Sequence, residues 1–334
     1  MREMNHSYIL KSRPAGEPAE ANFEIVESPV AEPSDGQVLC KTLFLSLDPY
    51  MRGLMNAGRS YVQGVEVGSV MAGEAVSRVI ASRHADFKEG DIVLSHSGWQ
   101  EYAAMPAQSL RKLAPIPYPM SYYLGVLGMP GMTAYIGMLD IGQPKEGETV
   151  VVSAAAGAVG SVAGQIAKIK GCRVIGSAGS DDKCRLVTDQ FGFDACINYK
   201  REPLLRALMR ACPSGIDVYF DNVGGEMLET VLRLINLNAR IPLIGLISQY
   251  NATEKVCGPN LMPILVNRAT IKGMIVRDHY ERYDEFLQQM KARLAEGRIK
   301  YHETVVEGLQ NVPRAFIGLF HGQNIGKLVV KIAD

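Results

Sequence analysis

No run of about 18 consecutive apolar residues occurs in the 334-residue chain, so no membrane-spanning helix is expected. Charge of one sign is also missing. Lysine plus arginine number 35 and aspartate plus glutamate 35, a balance that argues against a nucleic-acid binder, which carries a basic excess. The amino-terminal stretch "MREMNHSYILKSRPAGEPAE" is polar and lacks the apolar core of a signal peptide. A cytoplasmic protein is the expectation. The six cysteines (Cys40, Cys172, Cys184, Cys196, Cys212 and Cys257) include no CxxC pair. Neither a zinc knuckle nor a redox motif is supported, and free thiols are expected. The histidines are equally scattered. None of His6, His84, His96, His279, His302 and His321 stands in a ligand or triad pattern.

What is present divides at about residue 126. Before it, short apolar runs such as "QVLCKTLFLSL" and "GDIVLSHSGWQEYAAM" alternate with Gly, Pro and Asp turns, a β pattern closer to a folded-over barrel than to a parallel sheet. After it, candidate strands "TVVVSA", "CRVIGSA", "ACINY", "DVYFDN", "RIPLIGLIS" and "TIKGMIV" alternate with amphipathic helical stretches. Such βα alternation implies a parallel sheet covered on both faces. Ser180, followed by Asp181 and Asp182, reads as a helix N-cap with acids in the first turn. The tail returns to strand, helix, strand.

The stretch "VVSAAAGAVGSVAGQIAKIKG" (151–171) runs from strand through a small-residue turn into a helix. Gly157 and Gly160 give the turn, and Ala155 occupies the first glycine position of the dinucleotide fingerprint. Two readings stand. Backbone N–H groups and the positive helix end can meet a pyrophosphate, or tight helix–strand packing alone can demand the glycines. The strand–turn–helix context favours the nucleotide. At the end of the next strand an NAD site carries an acid for the ribose hydroxyl. Here Ser177 and Gly179 stand instead, with Lys183 following, which favours NADP. The alternative for Lys183 is a solvated helix lysine.

These residues, with "DPYMRG" (48–53), "LGMPGMTAY" (127–135), "INYK" (197–200), "YFDNVGG" (219–225), "LISQYN" (246–251) and "NIGKLVV" (324–330), resemble one family along nearly the whole chain. It is the zinc-independent branch of the medium-chain dehydrogenase/reductases, in the group of prostaglandin reductase, 2-alkenal reductase and bacterial curcumin reductase. The resemblance implies an α/β protein of two parts. A GroES-like β-barrel catalytic domain would comprise residues 1–126 and 302–334, and a Rossmann NADP-binding domain with a doubly wound parallel sheet residues 127–301. It implies an NADPH-dependent reductase of the carbon–carbon double bond of α,β-unsaturated ketones and aldehydes, working as a homodimer paired around "TIKGMIV". By carry-over, Gly157, Ala158, Val159 and Gly160 cradle the pyrophosphate. Ser177, Lys183 and Tyr199 contact the adenosine side. Thr133, Asn222, Gly245, Ile247, Ser248, Tyr250, Met274, Ile275, Val276 and Asn324 line the rest of the cofactor. Zinc-dependent relatives carry a Gly-His-Glu stretch and a four-cysteine lobe where this chain has "QGVEVGSV" and "SHSGWQEYAAMPAQSL", so no metal is expected.

Enone reduction suits such residues. The β-carbon is electrophilic by conjugation and receives hydride, negative charge develops on the carbonyl oxygen, and a positioned hydroxyl stabilises that enolate before the α-carbon takes a proton. A tyrosine, with pKa near 10, stays protonated and can serve. The candidates are Tyr250, at the end of a predicted strand, then Tyr61 in "GRSY" and Tyr50 in "DPYMR". Each could equally bury its ring and bond a backbone carbonyl. His279 lies just past a predicted strand end, and Arg52 either orients a carboxylate or packs on Asp48. The loop from Asn251 to Pro263 is expected to shape the substrate cleft. Two other functions remain open: a quinone oxidoreductase, and an NADPH-binding sensor without catalysis.

Overall fold

The structure, a computed structural model, describes residues 3–58 and 62–334. The chain divides into two compact units, one of Met1–Leu124, Glu303–Asn324 and Leu328–Asp334, the other of Gly125–His302 and Ile325–Lys327.

The first unit is built on strands. A hairpin-like pair joins β1 (Met4–Leu10) antiparallel to β2 (Phe23–Pro29). The longest strand, β3 (Gln37–Leu47), is followed by the short helix α1 (Met51–Leu54), then by β4 (Ala75–Ser82), β5 (Ile92–Ser95), β6 (Tyr102–Pro106) and β7 (Arg111–Lys112). Later in the chain come β14 (Glu303–Glu307), helix α9 (Val312–Phe320) and β15 (Lys327–Lys331). One seven-stranded sheet runs β14-β15-β3-β4-β5-β7, with β6 also on β3. β3 pairs antiparallel with β4 along its length, with β6 through residues 37–41 and with β15 through residues 44–47. Its register slips against β4 at Leu39/Cys40 and at Thr42/Phe44, and such irregularities bend a strand and let a sheet fold over. The barrel-like reading of this half rests on that bending. The only tryptophan, Trp99, stacks on Phe23 at 5.1 Å and meets Phe316 edge-on at 5.3 Å, so β2, α9 and the Trp99 loop close one core with Leu45, Leu47 and Val330.

The second unit alternates as the sequence pattern predicts. After α2 (Met129–Ile136) come β8 (Thr149–Val152), α3 (Gly160–Ile169), β9 (Arg173–Ala178), α4 (Asp181–Asp189), β10 (Ala195–Asn198), α5 (Leu204–Ala211), β11 (Ile216–Phe220), α6 (Gly225–Leu232), β12 (Ile235–Leu243), α7 (Met262–Val266), β13 (Thr270–Gly273) and α8 (Tyr283–Ala295). The six strands form one parallel sheet in the order β10-β9-β8-β11-β12-β13. This is the doubly wound order, with its switch point between β8 and β11. β8 is buried at every residue, as a central parallel strand with both faces covered must be. Of the apolar residues at helical spacing, Val159, Val162, Ile166 and Ile169, the middle two are buried within α3 and the outer two half-buried, and almost all of the rest of that helix is buried. Gly164 explains the close fit: a Cβ there would stand 1.8 Å from the Phe193 ring.

Among the described residues no helix is long and apolar enough to cross a membrane.

Candidate functional site

The carboxyl ends of β8, β9, β11 and β12 gather most of the residues singled out above. The turn after β8 comes first. Ala154 takes a left-handed φ of 50°, and the Gly157 N–H donates back to its carbonyl at 2.9 Å. A Cβ on Gly160 would meet that same carbonyl oxygen at 2.4 Å. Packing alone therefore requires glycine at 160. Gly157 differs: a Cβ there would touch only the Ala154 oxygen, at 3.2 Å, and meet nothing on its outer side. The first turn of α3 has no side-chain cap, and Ala158 and Val159 are half-buried, so N–H groups at the positive helix end stand where an anion can approach. The turn is braced by the chain's tail, where the Gly326 N–H donates to the Ala156 carbonyl at 2.8 Å.

The end of β9 forms a second corner. Ser177 is buried, and its carbonyl accepts from the Ala155 N–H at 2.9 Å. Ser180 caps α4, its Oγ accepting from the Lys183 N–H at 3.3 Å. Gly179 lets the end of β10 cross close by, because a Cβ there would lie 2.9 Å from the Tyr199 hydroxyl and 3.4 Å from Cε of Lys200. Tyr199 is half-exposed. Burial, and then the nearby positive charge of Lys200, hold the Lys183 ammonium below its usual pKa. The two neighbouring acids have other partners. Asp181 accepts from Asn198 at 2.6 Å and pairs with Arg201 at 2.7 Å, and Asp182 pairs with Arg185. Lys200 escaped the sequence reading, since only the parallel pairing of β10 with β9 brings it beside Lys183.

At the switch point the ends of β8 and β11 are tied by polar groups. Asn222 donates its backbone N–H to the Ser153 Oγ at 2.8 Å and its Nδ2–H to the Ser153 carbonyl at 2.7 Å. Asp221, fully buried, was not singled out from the sequence, although it lies within "YFDNVGG". Its Oδ1 accepts from the Tyr219 hydroxyl at 2.7 Å, from the Val223 and Gly224 N–H groups at 2.9 and 2.8 Å, and from Ser153 Oγ at 3.3 Å. Its Oδ2 has no partner. Burial pushes this carboxyl above the ordinary range, against the pull of those donors.

The segment after β12 clasps this knot. The Gly245 N–H donates to the Asp221 carbonyl at 3.2 Å, the Ile247 N–H to the Asn222 carbonyl at 3.4 Å, and the Ser248 Oγ to the Val223 carbonyl at 2.6 Å. Tyr250 folds back so that its hydroxyl accepts from the Leu246 N–H at 3.4 Å. A Cβ on Gly245 would sit 3.3 Å from that hydroxyl. Burial raises the Tyr250 pKa. Met274 follows β13, buried, with its N–H on the Leu243 carbonyl at 3.3 Å, and Ile275 and Val276 are half-buried beside it. Thr133 lies in α2, where its hydroxyl donates to the Met129 carbonyl of its own helix at 2.8 Å.

Three expected residues lie elsewhere. Tyr61 falls outside the described residues. Tyr50 belongs to the first unit, half-buried against its apolar core, and Asn324 belongs to that unit also. Arg52 grips backbone: its guanidinium donates to the Gly16 carbonyl at 2.6 and 3.0 Å and to Asn56 Oδ1 at 2.6 Å. Among the described residues no group of three or more His, Cys, Asp or Glu is arranged to hold a metal ion.

Two family models match the chain: the N-terminal domain of oxidoreductase over residues 6–113 and zinc-binding dehydrogenase over residues 158–292. The chain is 48% identical to the NADPH-dependent curcumin reductase of Escherichia coli, covering 99% of this chain and 98% of that one. It is 44% identical to the NADP(+)-dependent 2-alkenal reductase of Nicotiana tabacum, over 98% of each. The crystal structure of CurA in complex with NADPH from Vibrio vulnificus superposes with a TM-score of 0.94 at 48% identity, over 98% of this chain and 99% of that one.

Proposed function

The chain belongs to the medium-chain dehydrogenase/reductases, in the group of curcumin, 2-alkenal and prostaglandin reductases, and from that premise we propose that it is an NADPH-dependent reductase of the carbon–carbon double bond of α,β-unsaturated ketones and aldehydes. One observation carries the choice of cofactor: the end of β9 offers Lys183, Lys200 and Tyr199 around Gly179, while its two carboxylates are occupied by other partners. That corner fits a 2′-phosphate and gives a ribose hydroxyl no acid. Gly157 to Gly160 would hold the pyrophosphate on the uncapped end of α3. Asn222, Gly245 to Tyr250, Met274 to Val276 and Thr133 would hold the remainder, together with Asn324.

NADPH, when bound, supplies hydride to the electrophilic β-carbon. The residues of the chain do the rest. Tyr250 spends its acceptor capacity on the Leu246 N–H, which leaves its own proton free to donate to a developing enolate oxygen. Its raised pKa keeps that proton in place at neutral pH. Tyr50 and Tyr61 are the further hydroxyl candidates. The Asp221 knot fixes the backbone from which Asn222 and Gly245 project, so the site costs little reorganisation at the moment of reaction.

The test follows nicotinamide absorbance with NADPH and NADH in parallel on enones, enals and quinones. Fast NADPH oxidation with a saturated ketone as product is the expected result. Activity on quinones alone would replace the reading with a quinone oxidoreductase, and tight binding without turnover would replace it with a sensor.

A homodimer belongs to the same proposal. β13 is an edge strand, and just before it α7 exposes Leu265 at 74% with Leu261, Met262 and Val266 beside it. Light scattering is expected to return the mass of two chains.

A further inference from the structure

Cysteines that stand far apart in a sequence can still meet where a helix lies on a strand. Along α4, Asp181, Cys184 and Val187 follow one another at three-residue spacing and share one face. That face lies on the sheet: Val187 is fully buried, and its Cγ1 would be 3.0 Å from a Cβ on Gly176 of β9. In the parallel register Cys196 of β10 pairs with Gly176, so its side chain leaves the sheet on the same side. Two residues on, Asn198 points the same way and donates to Asp181 at 2.6 Å. Cys184 and Cys196 are thus bracketed between that hydrogen bond and the Val187 contact, and their side chains touch as hydrogen-bond partners. Both are half-buried.

We propose that Cys184 and Cys196 are a reversible dithiol–disulfide pair, oxidised by hydrogen peroxide or an organic hydroperoxide, whose closure weakens the binding of the 2′-phosphate at the end of β9. The second half of this inference rests on the cofactor reading above; the first does not.

The roles divide by environment. The hydrogen bond from Cys196 lowers the pKa of Cys184, while the same bond and burial raise that of Cys196. Cys184 is therefore the attacking sulfur. Its thiolate takes the distal peroxide oxygen and becomes a sulfenic acid, releasing water or an alcohol. The Cys196 thiol then displaces a second water and the S–S bond forms. The two sulfurs together lose two electrons, and the peroxide gains them. The remaining thiols do not compete in the same way. Burial pushes Cys40 up to about 12 and Cys172 and Cys212 up to about 11, and Cys257 is exposed in a loop with no partner thiol. A covalent bond draws the sulfurs closer than their hydrogen-bonded contact, so α4 must shift against β10. Lys183 is the residue before Cys184 and Tyr199 the third after Cys196, so the shift falls on the groups around Gly179.

The experiment uses the full-length C257S protein, treated with hydrogen peroxide and then mapped by mass spectrometry, with NADPH and NADH affinities measured before and after. The expected results are a loss of two hydrogens, a cross-linked 184–196 peptide reversed by dithiothreitol, and NADPH affinity lowered about tenfold with NADH affinity unchanged, the size of one lost charge-assisted contact. In C196S the sulfenic acid on Cys184 should be trapped by dimedone, and C184S should show neither product. Absence of the cross-linked peptide at peroxide levels that oxidise Cys257 in the parent would overturn the pair. A disulfide that leaves NADPH affinity unchanged, in a protein where K183A lowers it, would overturn its coupling to the cofactor. If K183A itself leaves the preference for NADPH intact, the cofactor reading fails, and peptide mapping still decides the thiol pair.

Discussion

The two strand ends that build the site in the second unit are made differently. At β8 and β11 polar groups are tied together around a fully buried carboxyl, with four donors converging on one oxygen of Asp221. At β9 and β10 the groups are half-exposed, like charges stand together, and burial with the charge of Lys200 holds Lys183 below its usual pKa. The first end is a knot that holds the fold. The second is held by the fold around it and gathers two lysines beside Tyr199. Rigidity and selectivity are therefore separable, and substitutions at the two ends should move different observables.

The sharpest break comes at the knot. Asp221→Ala strands the Tyr219 hydroxyl and two backbone N–H groups, each costing about 1–3 kcal/mol when left buried without a partner. Urea unfolding should show a loss of at least about 3 kcal/mol by this reasoning, with Asp221→Asn much milder because it keeps the acceptor oxygen. An Asp221→Ala protein unfolding at the parent's midpoint would show that the knot does not hold the fold.

Tyr250→Phe comes next. It removes one donor to the enolate and should lower turnover on an enone about 10²-fold, with NADPH affinity nearly unchanged and a stability loss smaller than at Asp221, since only the Leu246 N–H loses its acceptor. Parental turnover would take Tyr250 out of the chemistry.

At the other end, Lys183→Ala or Lys200→Ala should each lower NADPH affinity about tenfold, as expected for loss of a charge-assisted contact. NADH affinity and the urea midpoint should hold. A fall in stability equal to that at Asp221 would erase the distinction between the ends.

The smallest effect is on pH. Only the charged ammonium of Lys183 attracts phosphate, and its pKa lies below the usual lysine value because of burial and Lys200. NADPH affinity should therefore begin to fall at a lower alkaline pH than an ordinary lysine would give, and Lys183→Ala should flatten that limb. Isothermal titration across the alkaline range checks it.

What the sequence disclosed follows the same division. The strand–turn–helix rhythm from β8 to β13 was readable because each strand is a short apolar run and each helix carries its own periodicity. Ser180 was readable as a cap because capping is a local matter. Gly157, Gly160 and Lys183 sit within a few residues of such signals. Asp221 was not readable, although its neighbours were, because its value lies in four donors drawn from two strands. Lys200 and the meeting of Cys184 with Cys196 were hidden for a related reason. Both depend on which residue of β10 lies beside which residue of β9, and register is set by packing of the whole sheet. Arg52 shows the converse error. The sequence placed it near an acid, whereas the folded chain turns it onto the carbonyls of a loop 36 residues earlier.

Residues 325–331 hold a consequence for biosynthesis. Gly326 is hydrogen-bonded to the turn after β8, and residues 328–331 form the strand that flanks β3 near the start of the chain. Chains generally fold from the amino terminus as they emerge. Here neither unit can be finished in that way. A nascent protein stalled or truncated short of Ile325 would leave an open strand edge on β3 and an unbraced nucleotide turn. Competence is thus conferred on both parts together, once residues 325–331 have been made.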